Sequence, residues 1–361
     1  MLGGDDVGTS TTMTGALEEA IRFTVPWTAA VAVVLPEDAD PPALDGRKVF
    51  AISATGGDGA AAFERLESLR VDGCEYLIVP AASLGWLDAR AELGQRLEAE
   101  HRLVLRDPAA GAVFALHGRP PERIGPDGLP LPPIDLVRIT SGCINQALKR
   151  PERLYESFYE SGAIGARYVR ETLARHSAPL DGLESILDLG CGCGRVMRHW
   201  QSLAGPALHG CDYNPHLVEW CREHLGFAEF AVNPLEPELP YGDAQFDLLY
   251  AISVFTHLDA PLQIPWIEEV ARVVKPGGII LLTLNGAERA GKQLDAESRE
   301  RFRAGELVVR RAKSSGTNAC AVFHPERYVR TVLGRGLQTV ELVSAGAEDV
   351  RQDLILFRKP A

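Results

Sequence analysis

The run Asp188-Leu189-Gly190-Cys191-Gly192-Cys193-Gly194 sets three glycines and two cysteines directly behind an apolar stretch. Two chemistries compete for it. Thiolates would make a metal or redox site; glycines would let a ligand lie against bare backbone. The cysteine pattern is poor for metal. The seven cysteines, at 74, 143, 191, 193, 211, 221 and 320, form no C-x-x-C pair, and their number is odd. Only Cys211 is brought near Cys191 and Cys193 by the order of elements, and packing as small side chains accounts for all three. No metal is expected. The glycines follow a strand and precede a predicted helix, where a tight turn and free N–H groups suit a ligand. A dinucleotide loop is spaced G-x-G-x-x-G. Gly190, Gly192 and Gly194 are spaced G-x-G-x-G, which speaks against a nicotinamide-dependent dehydrogenase. Two acids flank the loop: Asp188 inside the strand end, and Asp212 at the end of the next strand, 18 residues after Gly194.

These residues need strands and helices in regular alternation to hold them. From Ile186 onward "SILDLG", "ALHGCD", "AEFAVN", "FDLLYAIS" and "GIILLTL" read as strands. "RVMRHWQSL", "PHLVEWCREHL" and "IPWIEEVARVV" read as the helices between them. A helix, "PERYVRTVLG", and two strands, "LQTVELVS" and "DLILFRK", close the chain. Ahead of the glycine loop, residues 151–176 read as a helix broken around Gly162. The front of the chain repeats the alternation on a smaller scale. Its strands are 29–35, 48–53 and 75–80, with a closing pair "RLVLRD" and "AVFALH". Its helices are one capped by Asp58 and a second over "LGWLDARAELGQRLEAEH". The expected division is a flexible tail over 1–20, a small acidic α/β domain over 21–118, a Pro/Gly-rich linker over 119–135 and a larger domain over 136–361.

Residues 186–284 resemble a class I S-adenosylmethionine-dependent methyltransferase. "LDLGCGCG" is similar to that family's first motif and "GCDYNP" to its second. "LPYGDAQFDLLYAISVFTHL" matches the fourth-strand region and "EVARVVKPGGIILLTL" the entry to the fifth strand. The resemblance implies a Rossmann-like seven-stranded sheet with an antiparallel last strand, and S-adenosyl-L-methionine as cofactor. It places Asp188, Gly190, Cys191, Gly192, Gly194, Asp212, Tyr213, Asn233 and Ser253 beside that cofactor. Asp212 would take the two ribose hydroxyls, as one carboxylate can. Asp188 would order the loop or face the cofactor ammonium. Asn233 stands at the adenine position, where many members carry Asp. His257, just past the fourth strand, is the candidate base for a hydroxyl or amine acceptor. Its other reading is a cap on the next helix or a bond to a loop carbonyl. Arg195 reaches the cofactor carboxylate or faces solvent. Tyr155, Phe158, Tyr159 and Tyr168 either cover the cofactor or pack on the sheet. "NPLEPELPY" invites comparison with the N-P-P-Y motif of amino-methyltransferases. Here the Asn-Pro ends the third strand and not the fourth, so that match is positional.

Composition narrows the partners. The chain of 361 residues has a net charge of −12, and residues 1–118 hold 18 acids against 9 bases. An acidic chain disfavours nucleic acid and anionic membrane as partners. No apolar run approaches the ~18 residues of a membrane span, and "MLGGDDVGTS" lacks the apolar core of a signal peptide. A reduced, cytoplasmic protein is expected. Residues 60–117 are similar in pattern to a small α/β module attached to bacterial glycosyltransferases and methyltransferases. That module would shape a substrate cleft, bind a partner or support a homodimer. The acceptor expected is a small molecule, a sugar or secondary metabolite methylated on oxygen or nitrogen. Residues 286–323 lengthen the connection after the fifth strand and would form the acceptor lid. The alternative to an enzyme is a non-catalytic cofactor-binding scaffold.

Overall fold

The structure, a computed structural model, describes residues 15–37, 39–44, 46–55, 58–118, 122–141 and 151–361. Cys143 lies outside them. The chain divides into two units, Met1–Glu122 and Arg123–Ala361.

In the first unit, helix α1 (Gly15–Thr24) starts inside the expected tail. It is ordered because Leu17, Ile21 and Val25, spaced one helical turn apart, bury against the sheet. The strands are β1 (Val31–Leu35), β2 (Val49–Ser53), β3 (Tyr76–Pro80), β4 (Arg102–Asp107) and β5 (Gly111–Ala115), in the order β2-β1-β3-β5-β4. β1 pairs parallel with β2 and β3, and β5 runs antiparallel between β3 and β4. Helix α2 (Gly59–Val71) is capped by Asp58, which accepts from the Ala61 N–H at 2.8 Å. The expected second helix is two pieces, α3 (Leu84–Asp88) and α4 (Ala91–Glu100). Arg90 folds back at the break, donating to the Trp86 carbonyl at 3.0 Å.

The second unit begins where a linker is expected, yet this segment is packed. Asp127 accepts from buried Arg198 at 2.6 and 3.0 Å, and the Leu129 and Pro130 carbonyls take further bonds from the same guanidinium. Helices α5 (Ile134–Thr140) and α6 (Pro151–Arg175) follow. α6 runs unbroken through Gly162. A Cβ there would collide with the Arg195 carbonyl, so this glycine serves close packing and not a helix break.

The sheet contains β6 (Ser185–Leu189), β7 (Ala207–Asp212), β8 (Glu229–Val232), β9 (Phe246–Ala251), β10 (Val274–Leu284), β13 (Gln338–Ala347) and β14 (Gln352–Arg358). Helices α7 (Pro215–His224) and α8 (Ala260–Val273) connect successive strands. The long connection after β10 holds α9 (Ala287–Gln293), α10 (Ala296–Arg303) and the small hairpin β11 (Val308–Arg310) and β12 (Ala321–Phe323). Where one helix is expected before β13 there is a short α11 (Glu326–Tyr328) running into a wider π turn. The strand order is β13-β14-β10-β9-β6-β7-β8. β14 alone runs opposite to the other six strands. This is the seven-stranded Rossmann-like sheet with its final strand reversed. β6 has β7 on one side and β9 on the other, so the order reverses at its carboxyl end. Such a switch point opens a crevice for ligands, and the glycine loop sits there.

Candidate functional site

The glycine loop is built differently from the expectation. No helix follows it; residues Met197–Trp200 form only a 3-10 turn. Met197, Arg198 and Trp200 are all buried, and Asp127 draws Arg198 inward, so the turn has no solvent face to make amphipathic. Nor are the loop N–H groups free. Those of Gly190 and Cys191 donate to the Cys211 carbonyl at 2.8 and 3.0 Å, and that of Gly194 to the Cys191 carbonyl at 3.0 Å. The Gly192 N–H donates to Asp212 Oδ2 at 2.9 Å and the Cys193 N–H to Thr140 Oγ1 at 3.1 Å. A phosphate cradle needs unspent donors, so this loop suits a ligand without phosphate. Gly192 has φ +56°, and a Cβ on it would stand 2.5 Å from Thr140 Cγ2. Left-handed backbone and close approach both require glycine there.

Asp212, at the carboxyl end of β7, also accepts from the Asn214 N–H at 2.9 Å through Oδ1. Each carboxylate oxygen thus has a backbone donor that fixes its direction, and Tyr213 adds a further backbone bond to Asp212. Burial raises its pKa, against the backbone bonds from Asn214, Gly192 and Tyr213. Next door, Asn233 follows β8 and is 5% exposed. Its Nδ2 is spent on the Pro234 carbonyl at 2.8 Å, while Oδ1 is buried with no partner among the described residues. A carboxamide fixed this way offers an acceptor to an amino group, as Asp would. The departure from the usual residue therefore leaves the acceptor function in place.

Asp188 is 3% exposed. Burial pushes its carboxyl up to about 7, opposed by a hydrogen bond from Tyr250 and the charge of Arg195, with Asp212 adding to the rise. Tyr250 is held in turn by the Trp200 indole N–H at 3.0 Å. A buried carboxyl of this kind is stabilised in its ionised form by an arriving cation.

The thiols turn inward. Cys191 is buried, and its Sγ lies 3.5 Å from the Gly192 carbonyl, with Cys221 Sγ 3.4 Å from the same oxygen. The Cys191 side chain and N–H are both engaged within the protein. Among the described residues no group of three or more metal-ligating side chains occurs. Arg195 does not face solvent: its side chain is 12% exposed and its Nη1 pairs with Asp349 at 2.9 Å. Tyr155, Phe158 and Tyr168 are core residues packed on the sheet.

Ser253, two residues past the end of β9, is in a left-handed conformation, φ +66°. Its N–H donates to Thr283 Oγ1 at 2.8 Å, and its Oγ receives Gln352 Nε2 at 2.7 Å. Gln352 also bonds Thr283 and Asn285, tying three strand ends together. His257 follows in a short 3-10 turn. Its Nδ1 is 2.7 Å from the Cys320 carbonyl. A carbonyl can only accept, so the proton sits on Nδ1 and the neutral ring presents Nε2 as a base. Burial lowers the pKa; the Cys320 bond opposes this and the charge of Arg289 adds to it. His257 is not the helix cap, because Asp259 precedes α8. It bonds a loop carbonyl, as its structural reading expects, in a way that leaves Nε2 available.

The segment 312–320 crosses the site. The Gly316 N–H donates to the His257 carbonyl at 2.7 Å, and Asn318 Nδ2 donates to the Ile139 carbonyl at 2.5 Å. Gly316 also packs on Leu235 and Tyr213. Sequence reading marked this long connection but missed its anchors, along with Thr140, Arg289 and Gln352. Each lies far along the chain from the motif it touches, and no local spacing marks it.

Residues 187–282 match the family model described as a methyltransferase domain. A sterol 24-C-methyltransferase of Gibberella zeae is 32% identical over 130 residues, covering 34% of this chain and 32% of that protein. A malonyl-[acyl-carrier protein] O-methyltransferase of Hahella chejuensis is 31% identical over 155 residues, covering 40% of this chain and 53% of that protein. A solved S-adenosylmethionine-dependent methyltransferase of Methanosarcina mazei is 21% identical, with a TM-score of 0.40, covering 52% of this chain and 97% of that one. The chain spans between a third and about half of the curated relatives it matches. With the sheet order, the glycine loop and the strand-end acceptors on the page, residues 187–282 of the second unit match a methyltransferase domain carried on a Rossmann-like sheet.

Proposed function

We propose that the chain is an enzyme that moves a methyl group from S-adenosylmethionine to an oxygen or nitrogen of a small molecule. Asn233 Oδ1 carries the reading. It is a buried acceptor without a partner among the described residues, beside Asp212 and a glycine loop whose donors are spent. Asp212 would hold the ribose diol, Asn233 the adenine amino group and Asp188 the ammonium, with Gly190, Gly192 and Gly194 as floor. Bound there, the cofactor supplies an electrophilic methyl on a sulfonium. The protein's work is then positioning. His257 Nε2 takes the proton that an acceptor hydroxyl or amine sheds as its lone pair forms the new bond. The lid residues Ser315, Gly316 and Cys320 fix His257 and set acceptor choice.

A sugar or secondary metabolite remains the acceptor class of this reading, alongside the sterol and malonyl-carrier acceptors named for the relatives. The cytoplasm as compartment is supported by six free, buried cysteines among the described residues. Pairing of two copies through the first unit rests on sequence pattern, and sedimentation checks it. Among the described residues no helix is long and apolar enough to cross a membrane. The test is calorimetry with S-adenosylmethionine and its demethylated product. Micromolar binding, ~−7 to −9 kcal/mol, is expected. No heat and no thermal shift with either would refute the reading.

A further inference from the structure

Arg289 lies in α9, just past the carboxyl end of β10. Its Nη1 donates to the Val350 carbonyl, in the turn between β13 and β14, at 2.6 Å. Its Nε is buried and has no partner among the described residues. Nη1 is the nitrogen on the Cδ side of the guanidinium. The Val350 bond therefore leaves the opposite edge intact, where the Nε and Nη2 hydrogens point side by side. That fork matches two oxygens of a carboxylate or phosphate.

The nearby acids do not fill it. Glu288 bonds Lys292 and Arg351. Asp349, next to Val350, turns its fully buried side chain to Arg195. Asp353 accepts from the Ala345 N–H. A guanidinium with a buried nitrogen and no counter-charge is held at a cost, which an arriving oxyanion offsets. The place is also informative. Gln352, two residues beyond Val350, bonds both Ser253 and Asn285, and the Arg289 charge is felt at His257. The free edge of Arg289 therefore belongs to the same strand-end region as the free Nε2 of His257.

The geometry points to an oxyanion subsite at Arg289: the acceptor carries a carboxylate or phosphate, which Nε and Nη2 bind side-on while its nucleophile meets His257. This rests on the methyltransferase reading and narrows its acceptor to an acidic molecule. One other oxyanion would satisfy the same fork, the carboxylate of the cofactor itself, and the experiment separates the two.

The full chain is titrated by calorimetry with benzoate, phenyl phosphate and neutral benzamide, with and without saturating S-adenosylhomocysteine. The wild type, Arg289→Gln and Arg289→Lys are compared. One of the two anions should bind the wild type about tenfold or more tighter than benzamide, the weight of a hydrogen-bonded charge. Arg289→Gln should erase that preference and Arg289→Lys keep part of it, while S-adenosylhomocysteine affinity stays within about threefold. The stronger of benzoate and phenyl phosphate identifies the oxyanion. No anion preference in the wild type, or a preference surviving in Arg289→Gln, overturns the subsite. A tenfold or greater loss of S-adenosylhomocysteine affinity in Arg289→Gln also overturns it, because the arginine then serves the cofactor. Failure of S-adenosylhomocysteine to bind the wild type defeats the methyltransferase reading instead, and the titrations made without it still decide Arg289.

Discussion

Replacing Asp188 by Asn should stabilise this protein in a way that depends on pH. In the folded chain burial pushes the Asp188 carboxyl up to about 7, despite the Tyr250 hydroxyl and the Arg195 charge. An unfolded aspartate titrates near ~3.9. Below pH ~4 both states hold the proton; between ~4 and ~7 only the folded state does. Stability contributed by this group therefore falls as pH rises and levels off above the folded value. Between about pH 5 and 8 this difference corresponds to a loss of roughly 2–3 kcal/mol in the wild type. Asp188→Asn keeps the shape and still accepts from Tyr250, but has nothing to titrate. Most other groups titrate alike in both proteins and cancel in the comparison. Urea unfolding of both at four pH values measures the difference, which should grow in favour of Asn by about 2–3 kcal/mol from pH 5 to 8. A difference that does not change with pH would show that Asp188 is ionised throughout, and the argument from burial would fail.

Asp127→Ala should cost ~3–5 kcal/mol, because it strips the counter-charge from Arg198, whose side chain is wholly buried. A loss under ~1 kcal/mol in denaturant unfolding would mean the Leu129 and Pro130 carbonyls suffice. His257→Ala should lower methyl transfer by ~10²–10⁴-fold with little change in S-adenosylhomocysteine affinity. The acid limb of the wild-type rate should lie below the ordinary histidine value, since burial lowers that pKa. Full turnover in the variant would leave positioning alone as the source of catalysis.

What the sequence determined is local. Alternating apolar runs and helical periods, each a property of a few neighbouring residues, placed the strands around Asp188, Asp212, Asn233 and Ser253. The glycine spacing alone separated this loop from a dinucleotide loop, and left-handed φ at Gly190, Gly192 and Gly194 is the backbone reason. Tertiary structure decided what depends on distant partners. Gly162 reads as a helix break until the Arg195 carbonyl is seen against it. The turn after Gly194 reads as a helix until Arg198 is drawn inward by Asp127, 71 residues earlier. Asn233 reads as a departure until its amide is seen locked with the oxygen free. His257 reads equally as base or structural residue, and a carbonyl 63 residues away fixes its proton on Nδ1. Spacing along the chain carries the period of an element. It carries no record of which side chain from another element will fill the space beside it, and burial and hydrogen bonding across that space set the charge and tautomer on which the chemistry depends.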